Sequence, residues 1–259
     1  MAMNRTSPGH LRKGFSDFCL LLKGNLLELR MSWTWYLAFA SFDAVMFLIF
    51  MWLVIGRGNP DSILFVITGS LTQSLTMSGM LSLGQDIGRM KEYAVFDYYA
   101  TLPISKTSFI MALVGSSLLR TLPSMILCLA FATVVLNVPI RPNVLLPITA
   151  LLGGFSLVGI GAVIGFYSKT GRIASYATQI VSPILTYLAP VFYPAESLPR
   201  FLQITSRFVP TTYVARLLRA GLSGGQISSN YPDLAVLALF TCLSIGLVFP
   251  RLDWRSRKN

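Results

Sequence analysis

The chain has 259 residues, of which 54% are hydrophobic and 12% charged, with a formal net charge of +11. Soluble domains carry about 25% charged residues, so this composition excludes an ordinary soluble protein. Its apolar residues form blocks of about 20, long enough to cross a bilayer as helices. Basic loops of a membrane protein account for the positive charge, and nucleic-acid binding is not expected because no basic run with interleaved aromatics lies outside these blocks.

An amphipathic stretch precedes the first apolar block. Over residues 11–31, the apolar side chains fall on one narrow helical face and the charged side chains fall elsewhere. This pattern predicts a helix that lies in the cytoplasmic interface of the membrane. A helix packed on a soluble partner gives the same pattern, and one helix can do both.

Six apolar blocks predict an all-α, polytopic membrane protein with six transmembrane helices. The predicted spans are 33–55, 62–83, 107–136, 144–167, 173–192 and 231–250. An even number of spans puts both termini on one side, which then carries 14 Lys and Arg residues outside the spans against 6 on the other side. The positive-inside rule therefore predicts cytoplasmic termini.

The predicted cytoplasmic connection Gly84–Lys106 is longer than a simple turn requires. It holds charged residues, then aromatic residues, then Pro103. Because proline disfavours helix at the residue before it, a short helix is expected to end near Ala100 and to be followed by a turn.

The predicted external connection, between spans five and six, holds two short apolar-periodic pieces within 194–221. They are expected to be short re-entrant helices that dip into the outer leaflet. The second piece begins after Pro210, with Thr211 or Thr212 as its expected N-cap.

Two ionisable residues lie inside predicted spans, where a charge is costly. Asp43 is near the middle of the first span, and Arg120 lies in the third, close to Pro123. Either they line a translocation route or contact an anionic substrate headgroup, or they pair with each other or with backbone freed by Pro123. Gln73 belongs to a run of Ser and Thr in the second span, a possible pathway face, although Ser and Thr also bond to their own helix.

Two stretches resemble the membrane subunit of type-2 ATP-binding-cassette exporters, the permeases of drug, lipid and polysaccharide export. GSLTQSLTMSGMLSLGQDIGRMKEYAVFDYYATLPISK, residues 69–106, resembles the family's second span and the turn into its third. PVFYPAESLPRFLQITSRFVPTTYVARLLRAGLSG, residues 190–224, resembles the segment after its fifth span. The family-signature positions in this second stretch are Phe192, Pro194, Leu198, Pro199, Pro210, Tyr213 and Arg219.

The resemblance implies that the loop 96–105 is a coupling element that sits in a groove of a separate ATPase subunit. The residues alone leave open an ordinary interfacial loop with its tyrosines in the aromatic belt. The residues to which the resemblance gives the coupling role are Phe96, Asp97, Tyr98, Tyr99, Thr101, Leu102, Pro103, Ile104 and Ser105.

The resemblance also implies the partners. Two ATPase subunits would hold ATP and Mg²⁺, and this chain would carry no cofactor. A second permease copy or a paralogue, together with membrane lipids, would complete the assembly in the inner (plasma) membrane. The expected function is the permease subunit of an ATP-driven exporter, which forms a dimeric pathway for an amphipathic drug, lipid or glycan.

Other functions have less support in the sequence. A secondary transporter coupled to ions or protons through Asp43 and Arg120 is the alternative, but no pair of Gly/Pro-broken spans repeats between the two halves. His10 is the only histidine and no phosphate loop occurs, so no catalytic residue, metal site or nucleotide site is expected. An intramembrane enzyme of lipid metabolism lacks clustered acidic residues or histidines.

Glycine-rich pieces of the chain are expected to be structural. Gly153-Gly154 and Gly159-x-Gly161 lie in the fourth span, where small residues permit close helix packing. Leu222–Gln226 spells LSGGQ, the signature of ATP-binding-cassette ATPases, which works there only opposite a phosphate loop. Here a predicted span follows it. The motif is therefore expected to be a turn, with Gly221 as the C-cap of the preceding helix.

Overall fold

The computed structural model describes residues 14, 16–25, 27, 42, 45–56, 60–135, 138, 140–197, 199–248 and 250. This part of the chain is helical and contains no β-strand, as the all-α prediction requires. In chain order its helices are α1 (residues 16–25), α2 (Val45–Val54), α3 (Ser62–Glu92), α4 (Val95–Thr101), α5 (Lys106–Val134), α6 (Leu145–Tyr167), α7 (Gly171–Tyr187), α8 (Arg200–Ser206), α9 (Pro210–Leu222) and α10 (Tyr231–Val248).

Four of the described helices are long and apolar enough to cross a bilayer: α3, α5, α6 and α10. The fifth predicted span corresponds to α7, which has only 17 residues. Residues 33–41, 43 and 44 of the first predicted span lie outside the described residues, and α2 covers part of its second half. These helices support a multi-pass membrane protein, and the count of six spans stays a prediction.

Helix α3 runs past the predicted end of the second span. The sequence predicts a loop after Leu83, but the helix continues to Glu92. Gly84 lies at a crowded contact, where a Cβ would be 2.5 Å from Thr178 Cγ2 of α7 and 3.0 Å from the Gly161 carbonyl oxygen of α6. Packing against two helices therefore overrides the low helix propensity of glycine.

Helix α7 ends at Tyr187, whereas the sequence predicts a span that continues to Phe192. Pro190 has no N–H for a bond to the preceding turn, so the helix cannot continue regularly through it. The chain turns instead, and the ring of Phe192 lies directly over Gly69 of α3, where a Cβ would overlap it. The prediction for this end of the span is wrong because its apolar residues cover α3 rather than extend the helix.

The long helices run in alternating directions and give the bundle two ends. Gly84 and Gly88 of α3 face Thr178 and Ala174 of α7, respectively, so these two helices are antiparallel. Helix α4 lies at one end, together with the start of α5 and the end of α6. The α5–α6 connection lies against the end of α9 at the other end. A 31-residue helix such as α3 is about 46 Å long, so the two ends are far apart.

Helix α6 lies against several other helices, and its glycines permit the close contacts. A Cβ at Gly161 would overlap the carbonyl oxygen of Met80, which belongs to a π-helical segment of α3, Leu75–Leu81. A Cβ at Gly153 would lie 2.8 Å from a methyl group of Val214 in α9. The predicted close packing through the glycines of the fourth span is confirmed.

We expect Gly161→Ala to destabilise the protein by about 1–3 kcal/mol, because the added methyl group forces two backbones apart. The matched control is Gly246→Ala in α10, since a Cβ there meets no atom within 4 Å. This control should be neutral or stabilising by up to about 1 kcal/mol. Thermal unfolding of the two purified variants in the same detergent compares them. Equal midpoints would contradict the packing account.

Candidate functional site

Helix α4 is fixed to the bundle by aromatic side chains on its inner face. Phe96 is buried, and its ring lies 5.8 Å from that of Phe109 in α5 and 5.9 Å from that of Phe166 in α6. The ring of Tyr99 lies 4.7 Å from that of Phe109, and Ile104 packs on the same cluster. Helix α4 is therefore in direct contact with both α5 and α6.

The outer face of α4 and of the following turn is exposed. Tyr98 has 63% of its surface accessible, and Asp97, Thr101, Pro103 and Ser105 are exposed as well. Tyrosine is one of the residue types that are enriched at protein interfaces. The nine predicted coupling residues thus lie together, divided between an anchored face and a free face.

Both junctions of α4 have defined backbone geometry. Ala94 precedes the helix with φ 52°, in the left-handed region that a residue with a Cβ rarely adopts. The short helix expected to end near Ala100 ends at Thr101, and the chain is extended at Leu102. Ser105 then caps α5, accepting a hydrogen bond of 3.1 Å from the Ser108 N–H.

Lys91 joins the end of α3 to the end of α6. Its ammonium donates hydrogen bonds to the carbonyl oxygens of Gly165, at 3.0 Å, of Phe166, and of Ser168, at 2.9 Å. The last carbonyls of a helix have no intrahelical partner and carry partial negative charge, so a lysine there is favourable. The sequence pattern identifies Lys91 only as a positive charge. It does not reveal this role, which depends on a contact between residues more than 70 positions apart.

The described part of the amphipathic N-terminal stretch is α1, and it packs on α5. Ser108 Oγ donates a 2.8 Å hydrogen bond to the Gly14 carbonyl. A Cβ at Gly115 would lie 3.6 Å from Leu22 and 3.7 Å from Phe18. Helix α1 therefore starts beside the turn that follows α4, while Leu20, on another face, is 66% exposed.

Arg120 pairs with a residue that the sequence analysis did not consider. Its Nη1 lies 2.9 Å from Asp86 Oδ2 of α3, and both side chains are 17% exposed. Asp86 also contacts Arg89 one turn further along α3. This ion pair was not among the expected alternatives for Arg120, and a pair with Asp43 stays a prediction. Asp43 itself lies outside the described residues.

Gln73 is buried in the interior, with 5% of its surface exposed, and its Oε1 has no hydrogen-bond partner among the described residues. Ser182 Oγ of α7 donates to Met77 Sδ, one turn beyond Gln73 on α3. Thr186, one turn further along α7, is buried as well, and its hydroxyl has no hydrogen-bond partner among the described residues. Two buried polar groups, one on α3 and one on α7, thus lack a hydrogen-bond partner among the described residues, which is costly in a dry interior.

The segment after α7 folds over α3 and α9. Arg219 of α9 lies where these three parts of the chain meet. The Arg219 guanidinium lies 3.8 Å from the centre of the Phe65 ring and donates to the carbonyl of Val191 at 3.1 Å and to Thr68 at 3.3 Å. Burial, together with the nearby positive charge of Arg216, lowers the pKa of Arg219 to about 10, so it stays protonated at neutral pH.

Two other signature positions, Pro194 and Tyr213, line the same cavity as this arginine. Phe192 is buried against Phe47, Pro194 precedes a short turn, and Pro199 precedes α8. Tyr213 donates a 2.6 Å hydrogen bond to the Arg207 carbonyl. Leu198 lies outside the described residues.

The capping residues of α9 differ from those predicted. Pro210 is the first helical residue and Val209 the N-cap, since proline is favoured at N1. Thr211 and Thr212 instead donate to the carbonyls of Leu185 and Ser206, respectively.

The C-terminal end of α9 holds the LSGGQ motif. Leu222 is the last helical residue and Ser223 the C-cap, so the prediction of Gly221 as the cap is wrong. Gly224 takes the left-handed conformation, with φ 76°, and the Gly225 N–H bonds back to the Ala220 carbonyl at 2.8 Å. This is the glycine-terminated helix end known as a Schellman motif. Gly221 serves packing instead, since a Cβ there would lie 2.9 Å from the Leu146 nitrogen.

The LSGGQ turn is also fixed from outside. The backbone N–H of Arg141 donates a 3.0 Å hydrogen bond to the Leu222 carbonyl, and that of Asn143 donates one of 3.0 Å to the Gly221 carbonyl. The side-chain amide of Asn143 also donates to the Gly225 carbonyl. The motif therefore joins α9 to the α5–α6 connection, at the end of the bundle opposite α4.

A sequence model of the family described as ABC-2 type transporter matches residues 16–223. A comparison with curated proteins returned no match. The matched region extends from α1 to the end of α9 and includes both stretches on which the resemblance rests, except for the last residue of the second. Permeases of this family associate with ABC ATPase subunits and typically lack a nucleotide-binding site of their own. Because the match covers well over half of the sequence, the chain belongs to the ABC-2 type transporter family and is a multi-pass permease component.

Proposed function

We propose that this permease is the membrane subunit of an ATP-driven exporter. Two copies, or this chain and a paralogue, form the translocation pathway, and two ATPase subunits that hold ATP and Mg²⁺ dock on the end that carries α4. That end is cytoplasmic, as are both termini, and the protein resides in the inner (plasma) membrane. The substrate is amphipathic, a class that includes drugs, lipids and glycans.

The observation that carries this proposal is the two-sided construction of α4. A coupling element must be held firmly by the helices that it moves and must also offer a free surface to the body that pushes it. Phe96 provides the attachment to α5 and α6, and the exposed side chain of Tyr98 provides the accessible surface. An interfacial loop with its tyrosines in the lipid headgroups does not require a buried phenylalanine bridging two helices.

The same end of the bundle carries the connections that transmit the movement. Lys91 ties the helix that precedes α4 to the last turn of α6. Ser108, in the first turn of α5, is bonded to the N-terminal segment at Gly14. When the ATPase subunits close on ATP, a displacement of α4 would therefore move α1, α3, α5 and α6 together.

Truncation of the free face should weaken the ATPase complex without unfolding the permease. Tyr98→Ala is expected to reduce the affinity for the ATPase subunit about tenfold, as for a well-packed aromatic at an interface. Tyr231→Ala, a comparably exposed tyrosine at the opposite end, is the matched control. ATPase retained on the affinity-purified permease provides the measurement. Equal retention by both variants would contradict the assignment of α4.

The pathway is proposed to pass between α3 and α7, with Gln73 on its wall. The unpaired Gln73 and Thr186 groups would be satisfied by water or by a polar part of the substrate when the two helices separate. Arg120 is proposed to stand near this route, held by Asp86 until the helices move. The alternative of ion or proton coupling through Asp43 and Arg120 has less support, because a carboxylate already neutralises Arg120.

Solvent access to position 73 tests this pathway. In a variant without Cys19, Cys128 and Cys242, Gln73→Cys should react with a water-soluble maleimide faster during ATP turnover than at rest. Leu71→Cys is the control, because Leu71 is fully buried within an apolar cluster and should stay unreactive in both states. Labelling of position 73 that does not change with ATP would exclude it from the pathway.

A further inference from the structure

A cavity of about 520 Å³ opens at the end of the bundle opposite α4. It lies between the start of α3, the turn after α7, and helices α8 and α9. Arg207, Arg216 and Arg219 line it, together with Glu196, and Phe65 and Tyr213 form aromatic parts of its wall. Neither the proposed coupling element nor the proposed pathway uses this cavity.

The charge of the cavity is positive. Arg216 is neutralised by Asp233, whose Oδ1 lies 3.1 Å from it. Among the described residues, no carboxylate lies within ion-pair distance of Arg207 or Arg219. Three guanidinium groups therefore stand against two carboxylates, and the half-buried Arg219 is stabilised by carbonyl dipoles, a hydroxyl and an aromatic ring rather than by a carboxylate. An anion in the cavity would complete this arrangement.

Helix α8 indicates where the cavity lies relative to lipid. One face of this helix lines the cavity with Gln203, Ser206 and Arg207. The apolar residues Phe201, Ile204 and Phe208 are exposed by 72%, 60% and 76%, respectively. Such a helix is stable at the boundary between hydrocarbon and water, with its apolar face in the acyl chains. The cavity then opens at the depth of lipid headgroups.

We propose that this cavity binds the phosphate group of an amphiphile, with Arg207 and Arg219 as its main ligands. A phosphate offers several anionic oxygen acceptors, and a planar guanidinium group can donate to two of them at once. The aromatic wall and the neighbouring apolar face of α8 suit an attached hydrocarbon chain. The phosphate can belong to a lipid-like molecule or be free in solution, and binding measurements separate these two sources.

The test uses the purified full-length chain in a neutral detergent and isothermal titration calorimetry. The probes are dihexanoyl phosphatidic acid, dihexanoyl phosphatidylcholine and inorganic phosphate. We expect saturable binding of phosphatidic acid, weaker binding of phosphatidylcholine because its choline group cancels the charge, and the weakest binding of inorganic phosphate. If inorganic phosphate bound as tightly as phosphatidic acid, the cavity would still be a phosphate site, but the proposal that an amphiphile occupies it would be overturned.

Three variants test the residues. Arg207→Gln should weaken phosphatidic acid binding about tenfold, and it should fold because Arg207 is exposed. Glu196→Gln should tighten binding about threefold, an increase that general damage to the fold would not produce. Arg200→Gln, an exposed arginine of α8 that does not line the cavity, should leave binding unchanged. Equal effects of Arg200→Gln and Arg207→Gln, or no binding of any probe, would overturn the proposal.

Discussion

The close approach of α6 to α3 is the contact on which the rest of the structure depends. Gly161 lies against the carbonyl of Met80, so the two backbones meet with no side chain between them. Within a membrane, helices gain little from hydrophobic burial against one another, and packing of this kind is a main source of their association. The π-helical turn at Leu75–Leu81 changes the register of α3 at this contact, and such turns often occur at functional positions.

This central contact positions a different region at each end of the bundle. At one end, α3 and α6 finish side by side, which allows Lys91 to reach the last carbonyls of α6 and places α4 across the cluster around Phe96. At the other end, the turn after α7 and helix α9 cover the start of α3, and Arg219 is held by carbonyls and the Phe65 ring. The first region suits the transmission of force, and the second suits the binding of an anion.

The sequence predicted features that depend on composition and local pattern. The apolar block of the fourth span corresponds to α6 within one residue, and Pro103 marked the turn after α4 correctly. Features that depend on distant contacts were missed. The partner of Arg120 is Asp86, a residue of a predicted loop. Helix α3 continues through Gly84 because two other helices pack on it.

The LSGGQ motif shows the same difference between features that local pattern predicts and features that distant contacts decide. Local chemistry predicted a glycine-terminated turn, and the structure has one, but the residue that takes the left-handed conformation is Gly224 rather than Gly221. Both glycines suit a helix end by propensity. The contact between Gly221 and the backbone of Leu146 decides between them, and no local pattern reveals it.

Photo-cross-linking at the free face of α4 tests the central claim, that an ATPase subunit docks there, most directly. A benzophenone amino acid at position 98 would be activated in native membranes, and the cross-linked product identified by mass spectrometry. The account predicts a covalent product with an ABC ATPase subunit, and no such product when the same group stands at position 231. A position-98 product containing only lipid, in membranes where the ATPase is present, would contradict it.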